Sequence, residues 1–338
     1  MAKHTIVLIP GDGIGPEVSN AARRVLDSAG LSVDWVVLPA GASALDQGFE
    51  NVLPQKTLEA IQHHKVALKG PVTTPVGKGF KSVNVQLRQK LNLYAAIRPV
   101  RNLPGIKTRF ENVDMVIVRE NTEGLYSGIE NEIVPGVVTS LKVASQAACT
   151  RISRYAFRYA TRRHRQKITV FHKANIMKLS DGLFLDCARK IHDEEYPNIE
   201  YDELIIDAGC MKLVQDPSRF DVLLMENLYG DLVSDLCAGL VGGLGVVPGS
   251  NIGDDCAIFE AVHGSAPDIA GKGIANPLAI IMSSVMMLNH IHEETLAGKI
   301  KHAYDTLLTE GDAKTLTKDL GGSAGTEQFT NALIAKLK

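Results

Sequence analysis

Three groups of side chains in this 338-residue chain have the types and spacing of a chemical site. The first is acidic. Asp231 and Asp235 lie four apart in the run that begins at Asn227, so a helix there sets both carboxylates on one face. Like charges so placed repel. A hard divalent cation with oxygen ligands, Mg2+ or Mn2+ rather than zinc, compensates them, while a pair of solvated acids is the plainer alternative. Asp207 follows the apolar run Leu204-Ile205-Ile206 and is expected at the end of a strand. The second group spans residues 70–88, which hold Thr73, Thr74, Ser82, Asn84 and Arg88, and continues with Arg98 and Arg119. A guanidinium is a planar fork that meets both oxygens of a carboxylate. Each arginine alone reads as a surface ion pair; three beside polar loops favour an anionic substrate. The third group, Lys173 and Asn175, follows a short apolar run. A lysine beside a metal or other cations has a lowered pKa and can carry a proton, although a solvated lysine is the simpler reading. Tyr126 is an equally ambiguous acid.

The elements around these groups alternate. Apolar, β-branched runs at residues 5–9, 33–38, 66–68, 113–118, 168–171, 204–208 and 222–225 read as strands. Helical spacing appears at 17–29, which stops at Gly30, and at 58–62, 183–192 and 279–291, the last entered at Pro277. This order predicts an α/β fold with a mostly parallel sheet, and in such sheets ligands gather beyond the carboxyl ends of the strands. Two stretches break the pattern. Residues 127–143 are β-branched around Pro135-Gly136 and read as an inserted hairpin. Residues 241–251 are rich in glycine around Pro248 and read as a flexible crossing between substructures.

Pro10-Gly-Asp-Gly-Ile-Gly-Pro16 follows a strand and opens a helix, with Asp34 about 20 residues on, as a dinucleotide fingerprint requires. Its glycines fall at 11, 13 and 15, and Pro16 occupies the third slot, so the fingerprint fails. The turn reads as a tight glycine entry to a helix. No Walker-type phosphate loop is present.

Bulk properties narrow the class. A net charge of -2 with scattered Lys and Arg argues against a nucleic-acid partner; the densest basic run, Arg162 to Lys167, reads as an exposed helix end. The longest apolar stretch, residues 278–288, holds two serines and is short of a membrane span. Five widely spaced cysteines without a CxxC pattern predict reduced thiols rather than a disulfide or zinc framework. Those thiols, and an N-terminus with too short an apolar run for a signal peptide, predict a cytoplasmic protein.

Taken together, the segments resemble the β-decarboxylating dehydrogenases, which act on isocitrate, homoisocitrate or 3-isopropylmalate. The likeness runs from Gly11-Asp-Gly-Ile-Gly-Pro-Glu17 to the His263-Gly-Ser-Ala-Pro267 loop, and the stretch from Asn227 to Gly245 is similar to the family's signature. The resemblance implies an isopropylmalate dehydrogenase-like two-domain α/β fold, distinct from the Rossmann fold, with a clasp hairpin. Residues 1–95 and 245–338 would form the large, cofactor-side domain. Residues 96–244 would form the small domain, with a dimer clasp at about 125–145. Thr73, Ser82, Asn84, Arg88, Arg98, Arg119 and Asn175 would bind substrate, and Asp207, Asp231 and Asp235 would hold Mg2+ or Mn2+. Ile14, Thr74, His263, Gly264, Ser265, Ala266, Asp268, Ile269 and Asn276 would bind the dinucleotide. Tyr126 and Lys173 would be catalytic. Lys173 would help remove the hydroxyl proton and Tyr126 would help protonate the enol carbon. A homodimer would share its sites, with Lys173 and Asp207 arriving from the partner subunit.

Substrate and cofactor follow from finer comparison. Isopropylmalate enzymes use apolar residues where this chain has Ser82 and Asn84; two hydrogen-bonding groups suit a third carboxylate and would be left unpaired by an isopropyl group. Isocitrate is therefore expected, with homoisocitrate, one methylene longer, as the nearest rival and 3-isopropylmalate behind it. NADP-linked relatives carry a lysine and a tyrosine where Asp268 and Ile269 stand here. Asp268 would accept from a ribose hydroxyl and repel a 2′-phosphate, so NAD is expected. The remaining alternative is a non-catalytic regulatory subunit, which the presence of Tyr126, Lys173 and all three aspartates argues against.

Overall fold

The computed structural model describes residues 4–74 and 81–337; part of the polar segment at 70–88 lies outside the described residues. In chain order the strands are β1 (His4–Ile9), β2 (Val33–Val37), β3 (Val66–Lys69), β4 (Ala95–Arg101), β5 (Asp114–Glu120), β6 (Gly124–Val134), β7 (Val137–Val143), β8 (Lys167–His172), β9 (Glu200–Ile205), β10 (Val222–Met225), β11 (Pro248–Ile252) and β12 (Ala257–Ala261). The helices are α1 (Gly15–Ala29), α2 (Ala42–Asp46), α3 (Gln55–His64), α4 (Val83–Lys90), α5 (Gln146–Arg162), α6 (Ser180–Glu195), α7 (Ile206–Gln215), α8 (Asn227–Leu240), α9 (Leu278–His290), α10 (Glu294–Glu310) and α11 (Thr326–Ala335).

The chain divides into two compact units. One comprises Met1–Leu91, Asn102–Thr108 and Gly242–Lys338; the other comprises Asn92–Arg101 and Arg109–Val241. In the first, strands run in the order β2-β1-β3-β12-β11. All neighbours are parallel except β11 with β12. Strand β1 is Ile6–Ile9 apolar on both faces because helices cover it, as a parallel strand requires. Helix α9 lies against β11 and β12 and is buried along nearly its whole length, which is why its sequence shows no polar face. Helix α1 begins with Pro16 in its first turn and ends at Gly30, whose φ of 97° is the left-handed C-cap conformation that glycine adopts freely.

In the second unit the order is β4-β5-β10-β8-β9. Strands β5, β10, β8 and β9 are parallel, and β4 is antiparallel to β5. Helices α5 and α6 pack together, and Phe157 of α5 stacks on Tyr196 at 5.6 Å in a core it shares with His192 and Tyr201. Among the described residues, strands β6 and β7 pair only with each other, across Pro135-Gly136. This hairpin leaves Ile129, Ile133, Val134, Val137, Val138 and Leu141 exposed.

Two expectations are corrected. The run 204–208 is not a strand ending at Asp207: β9 stops at Ile205 and α7 begins at once, with Asp207 in its first turn. The apolar Leu204-Ile205-Ile206 disguises that junction, and an acid in the first turn is favoured by the helix dipole. Residues 241–251 are not a flexible crossing throughout, because 248–252 form β11, buried along most of its length. Gly242 and Gly243 before it have φ of 119° and 106°, in the left-handed region that favours glycine.

Candidate active site

Parallel strands put their carboxyl ends at one edge, and this arrangement builds the site in each unit. In the second unit, that edge carries Arg119 near the end of β5, Lys173 just after β8, Asp207 just after β9, and α8 leaving β10. Arg98 projects from β4, in register with Ile117. Arg119 is 1% exposed. Its Nε and Nη2 both donate to Asn227 Oδ1, at 3.0 and 2.6 Å, and its Nη1 donates to Asp231. The Tyr126 hydroxyl donates to the other oxygen of Asp231, and the Tyr126 ring lies 5.2 Å below the Arg119 guanidinium carbon. Burial and the neighbouring Asp231 push the Asp235 carboxyl above its ordinary range, while Arg98 and Arg119 pull it down.

Lys173 donates to Asp207 at 2.6 Å, and this bond holds the Asp207 carboxyl below the usual carboxylate range. The backbone N–H of Lys173 donates to Asp181 at 2.7 Å. Asp181 in turn is held by Lys142 from β7 and, at 3.2 Å, by the Tyr229 hydroxyl. Lys142 also pairs with Glu226, the residue before α8. Burial pushes the Glu226 carboxyl up to about 7 despite that ammonium. The loop carrying Lys173 is thus tied to the hairpin through one buried carboxylate. Asn175 stands exposed beyond it.

In the first unit the carboxyl ends of β1, β3 and β12 lead into three loops: the glycine turn at 10–16, residues 70–74, and the loop opening at His263. Asp12 ties the first two together. Its buried carboxylate accepts from the backbone N–H groups of Thr73 (2.6 Å), Ser43 (2.8 Å) and Ala42 (3.0 Å). Ile14, itself buried, donates its N–H to Ser265 O at 2.9 Å, and the Thr73 and Ser265 hydroxyls are 2.7 Å apart. A Cβ on Gly13 would lie 2.0 Å from Ser265 O. The glycines of the failed fingerprint therefore serve close packing of loop on loop. Thr74 Oγ1 accepts from Val83 N at 3.1 Å, and Ser82 caps α4, accepting from Val85 N. Asn84 sits in the first turn of α4, and its Oδ1 is buried without a hydrogen-bond partner among the described residues. Farther along α4, Arg88 lies 3.9 Å from Glu260, which pairs with Lys69 at 2.6 Å and accepts from Asn251 Nδ2 at 2.6 Å.

Around the third loop, burial lowers the His263 pKa, and its Nδ1 lies 3.0 Å from Gly264 O. Ala266 has a φ of 38°, rare for a residue with a side chain. Asp268 is exposed beside Ile269, and Asn276 donates to Asp319 at 2.7 Å while capping α9. Asp12, Asn227, Lys69 and Glu260 escaped the sequence reading. A buried charge at a strand end, as at Lys69 after three apolar residues, is the signal that pointed to one of them.

The predicted metal aspartates do not all meet. Asp231 and Asp235 share a face of α8, whereas Asp207 is engaged by Lys173, and among the described residues no three His, Cys, Asp or Glu side chains gather around a common point. The oxygen-only donor pair on α8, with a raised carboxyl at Asp235, fits a hard divalent cation rather than a soft one.

A buried arginine fork beside paired aspartates and a tyrosine can hold an anionic substrate next to a hard cation. A family model described as isocitrate/isopropylmalate dehydrogenase matches residues 5–333, and the chain belongs to that family. A probable NAD isocitrate dehydrogenase subunit alpha, mitochondrial, of Drosophila melanogaster is 50% identical over 332 residues, covering 98% of this chain and 87% of the relative. A chloroplastic 3-isopropylmalate dehydrogenase of Solanum tuberosum is 50% identical over 297 residues, covering 88% and 83%. The crystal structure of isocitrate dehydrogenase from Methylococcus capsulatus superposes with a TM-score of 0.94 at 50% identity, covering 99% of each chain. The expectation of a cytoplasmic protein is overturned by the isocitrate dehydrogenase relatives, whose names place them in mitochondria. Reduced thiols do not separate the cytoplasm from an organelle that keeps thiols reduced.

Two outcomes follow from this geometry. Gly13→Ala should destabilise the protein by more than about 2 kcal/mol in chemical denaturation, since a left-handed residue meets a carbonyl. Gly30→Ala, with φ of 97° and open space around it, should cost only about 1 kcal/mol. Equal losses would show that loop packing does not depend on Gly13. Glu226 ionises at about 4.5 when unfolded and at about 7 when folded, so folding favours its protonated form. The melting temperature of the wild type relative to Glu226→Gln should therefore fall as pH rises from about 4.5 to about 7, then level off. A difference independent of pH would remove Glu226 as the titrating group.

Proposed function

We propose that this chain is an NAD-dependent isocitrate dehydrogenase, which oxidises isocitrate and decarboxylates it to 2-oxoglutarate and CO2 with a divalent metal, Mg2+ or Mn2+. The observation that carries the reading is the Arg119 fork, buried and oriented beside Asp231, Asp235 and Arg98. Arg88, Arg98 and Arg119 would grip the substrate carboxylates. Ser82 and Asn84 would read the third one. With its amide turned, Asn84 would present a donor where an acceptor now lies without a partner among the described residues. Thr73 would contribute to the same binding, and Asn175 would join from the Lys173 loop.

Asp231, Asp235 and a third aspartate, Asp207, would hold the cation, which when bound polarises the substrate carbonyl and stabilises the enolate left by CO2. Lys173 would take the hydroxyl proton during oxidation. Tyr126, whose hydroxyl already donates to Asp231, would return a proton to the enol carbon. Ile14, Thr74, His263, Gly264, Ser265, Ala266, Asp268, Ile269 and Asn276 would bind NAD, which when bound supplies the hydride acceptor. Asp268 would select it by repelling a 2′-phosphate.

The sites would be shared in a homodimer clasped by β6 and β7, with Lys173 and Asp207 crossing to the partner's Asp231 and Asp235. Exposed apolar side chains surround both halves of that contact. Ile176 and Leu179 flank the Lys173 loop, Met211 and Val214 follow Asp207 on α7, and Leu232 stands between the two aspartates of α8. The residues from 92 to 101 and from 109 to 241 would be the smaller, clasp-bearing domain.

The similarity to a 3-isopropylmalate dehydrogenase keeps that substrate as the second reading. Steady-state rates with isocitrate, homoisocitrate and 3-isopropylmalate, each with NAD and NADP, separate them. Isocitrate with NAD should exceed homoisocitrate by at least about tenfold in kcat/KM, the discrimination one methylene supports, and isopropylmalate by far more. Preference for isopropylmalate would remove the roles given to Ser82 and Asn84, and preference for NADP the role given to Asp268. Lys173→Met should abolish turnover; full activity would refute the proton-transfer assignment.

A further inference from the structure

Asn227 has no role in the chemistry described above, yet it is 1% exposed and touches the buried guanidinium of Arg119. Its side-chain oxygen accepts two hydrogen bonds from one guanidinium, from Nε at 3.0 Å and Nη2 at 2.6 Å of Arg119. The orientation of the amide is determined independently, because its Nδ2 donates to the Glu123 carbonyl at 2.9 Å. That carbonyl sits in a rigid loop. The Glu120 carboxylate accepts from the N–H groups of Thr122 and Glu123, and the Glu123 carboxylate accepts from Ser145 N and Oγ at 2.8 and 2.6 Å.

One turn along α8, Gly230 completes the seat. A Cβ there would lie 2.4 Å from Arg119 Cγ and 2.6 Å from its Cβ, so the arginine stem runs directly against the helix backbone. The fork is held along its whole length: stem against Gly230, Nε edge on Asn227, Nη1 on Asp231, face on Tyr126.

The chemistry of the acceptor matters. A carboxylate at 227 would hold the same edge of the guanidinium through a bidentate ion pair and neutralise it. An amide oxygen fixes the geometry without adding a second carboxylate to the Asp231 already paired with Nη1. We propose that Asn227 is a positioning residue for substrate binding, a neutral acceptor that orients Arg119 while preserving its charge for a substrate carboxylate. This rests on the reading that Arg119 grips that carboxylate.

The test compares Asn227→Asp, Asn227→Ala, Arg119→Gln and the double variant Asn227→Asp/Arg119→Gln, with isocitrate, NAD and Mg2+, recording KM, kcat and melting temperature. Asn227→Asp should lower the melting temperature less than Asn227→Ala, since a new ion pair to Arg119 offsets the loss of the Nδ2 bond to the Glu123 carbonyl. Its isocitrate KM should rise about tenfold or more, the scale of one charged hydrogen bond, with a smaller change in kcat. Asn227→Ala should lose both stability and kcat/KM, because Nε is left buried and unpaired. In the Arg119→Gln background, Asn227→Asp should add little to KM, as expected if Asn227 acts through that guanidinium. An unchanged KM in Asn227→Asp, or an equal rise with and without Arg119, would overturn the proposal while leaving Arg119 as a substrate residue. An unchanged KM in Arg119→Gln would instead remove the reading on which it rests.

Discussion

A guanidinium buried at a strand end sets the terms for one unit. Removing Arg119 from water costs several kcal/mol unless each edge finds a partner, and the interior supplies them from four directions. That requirement explains why α8 leaves β10 with asparagine at its first position, why glycine follows one turn later, and why the loop after β5 is knotted by Glu120 and Glu123. Residues with no contact to a reacting atom are constrained because the arginine must be both desolvated and aimed. A second buried charge system, Lys142 with Asp181 and Glu226, does the same for the backbone that presents Lys173.

The other unit solves a different problem with a negative charge. Asp12 draws three backbone amides from two other segments onto one carboxylate, and the loops at the ends of β1 and β3 converge on it. Glycine at 11 and 13 follows from that convergence. Added side chains would meet Pro71 O at 2.1 Å and Ser265 O at 2.0 Å. Loops gathered this closely by buried hydrogen bonds make a rigid cradle, which is what catalysis asks of groups that orient a ligand.

Much of this was legible in the sequence, and for physical reasons. The spacing of Asp231 and Asp235 is read directly from helical periodicity, and both lie on α8. Strands such as β10 are recognisable because two covered faces leave only apolar residues. The family likeness, carried by the Asn227 to Gly245 stretch and the glycine turn, supplied the substrate class that spacing alone left open. Asp207 was misplaced because the strand-to-helix junction falls inside an unbroken apolar run, where period and hydrophobicity agree with either structure. The roles of Asn227 and Asp12 were invisible for another reason. Asn227 meets a guanidinium 108 positions away, and Asp12 meets Thr73 61 positions away. Only the fold brings such pairs together.

The β6–β7 ribbon carries a broader consequence. Two strands alone are marginal in water, and this pair exposes Ile129 at 42% and Val138 at 65%. Such a ribbon gains order from whatever covers it, so its folding obeys mass action as well as intramolecular forces. Lys142, on the same ribbon, reaches Asp181 and through it the amide of Lys173. A ribbon left without cover would hold Lys142 less firmly, and with it the backbone that presents Lys173.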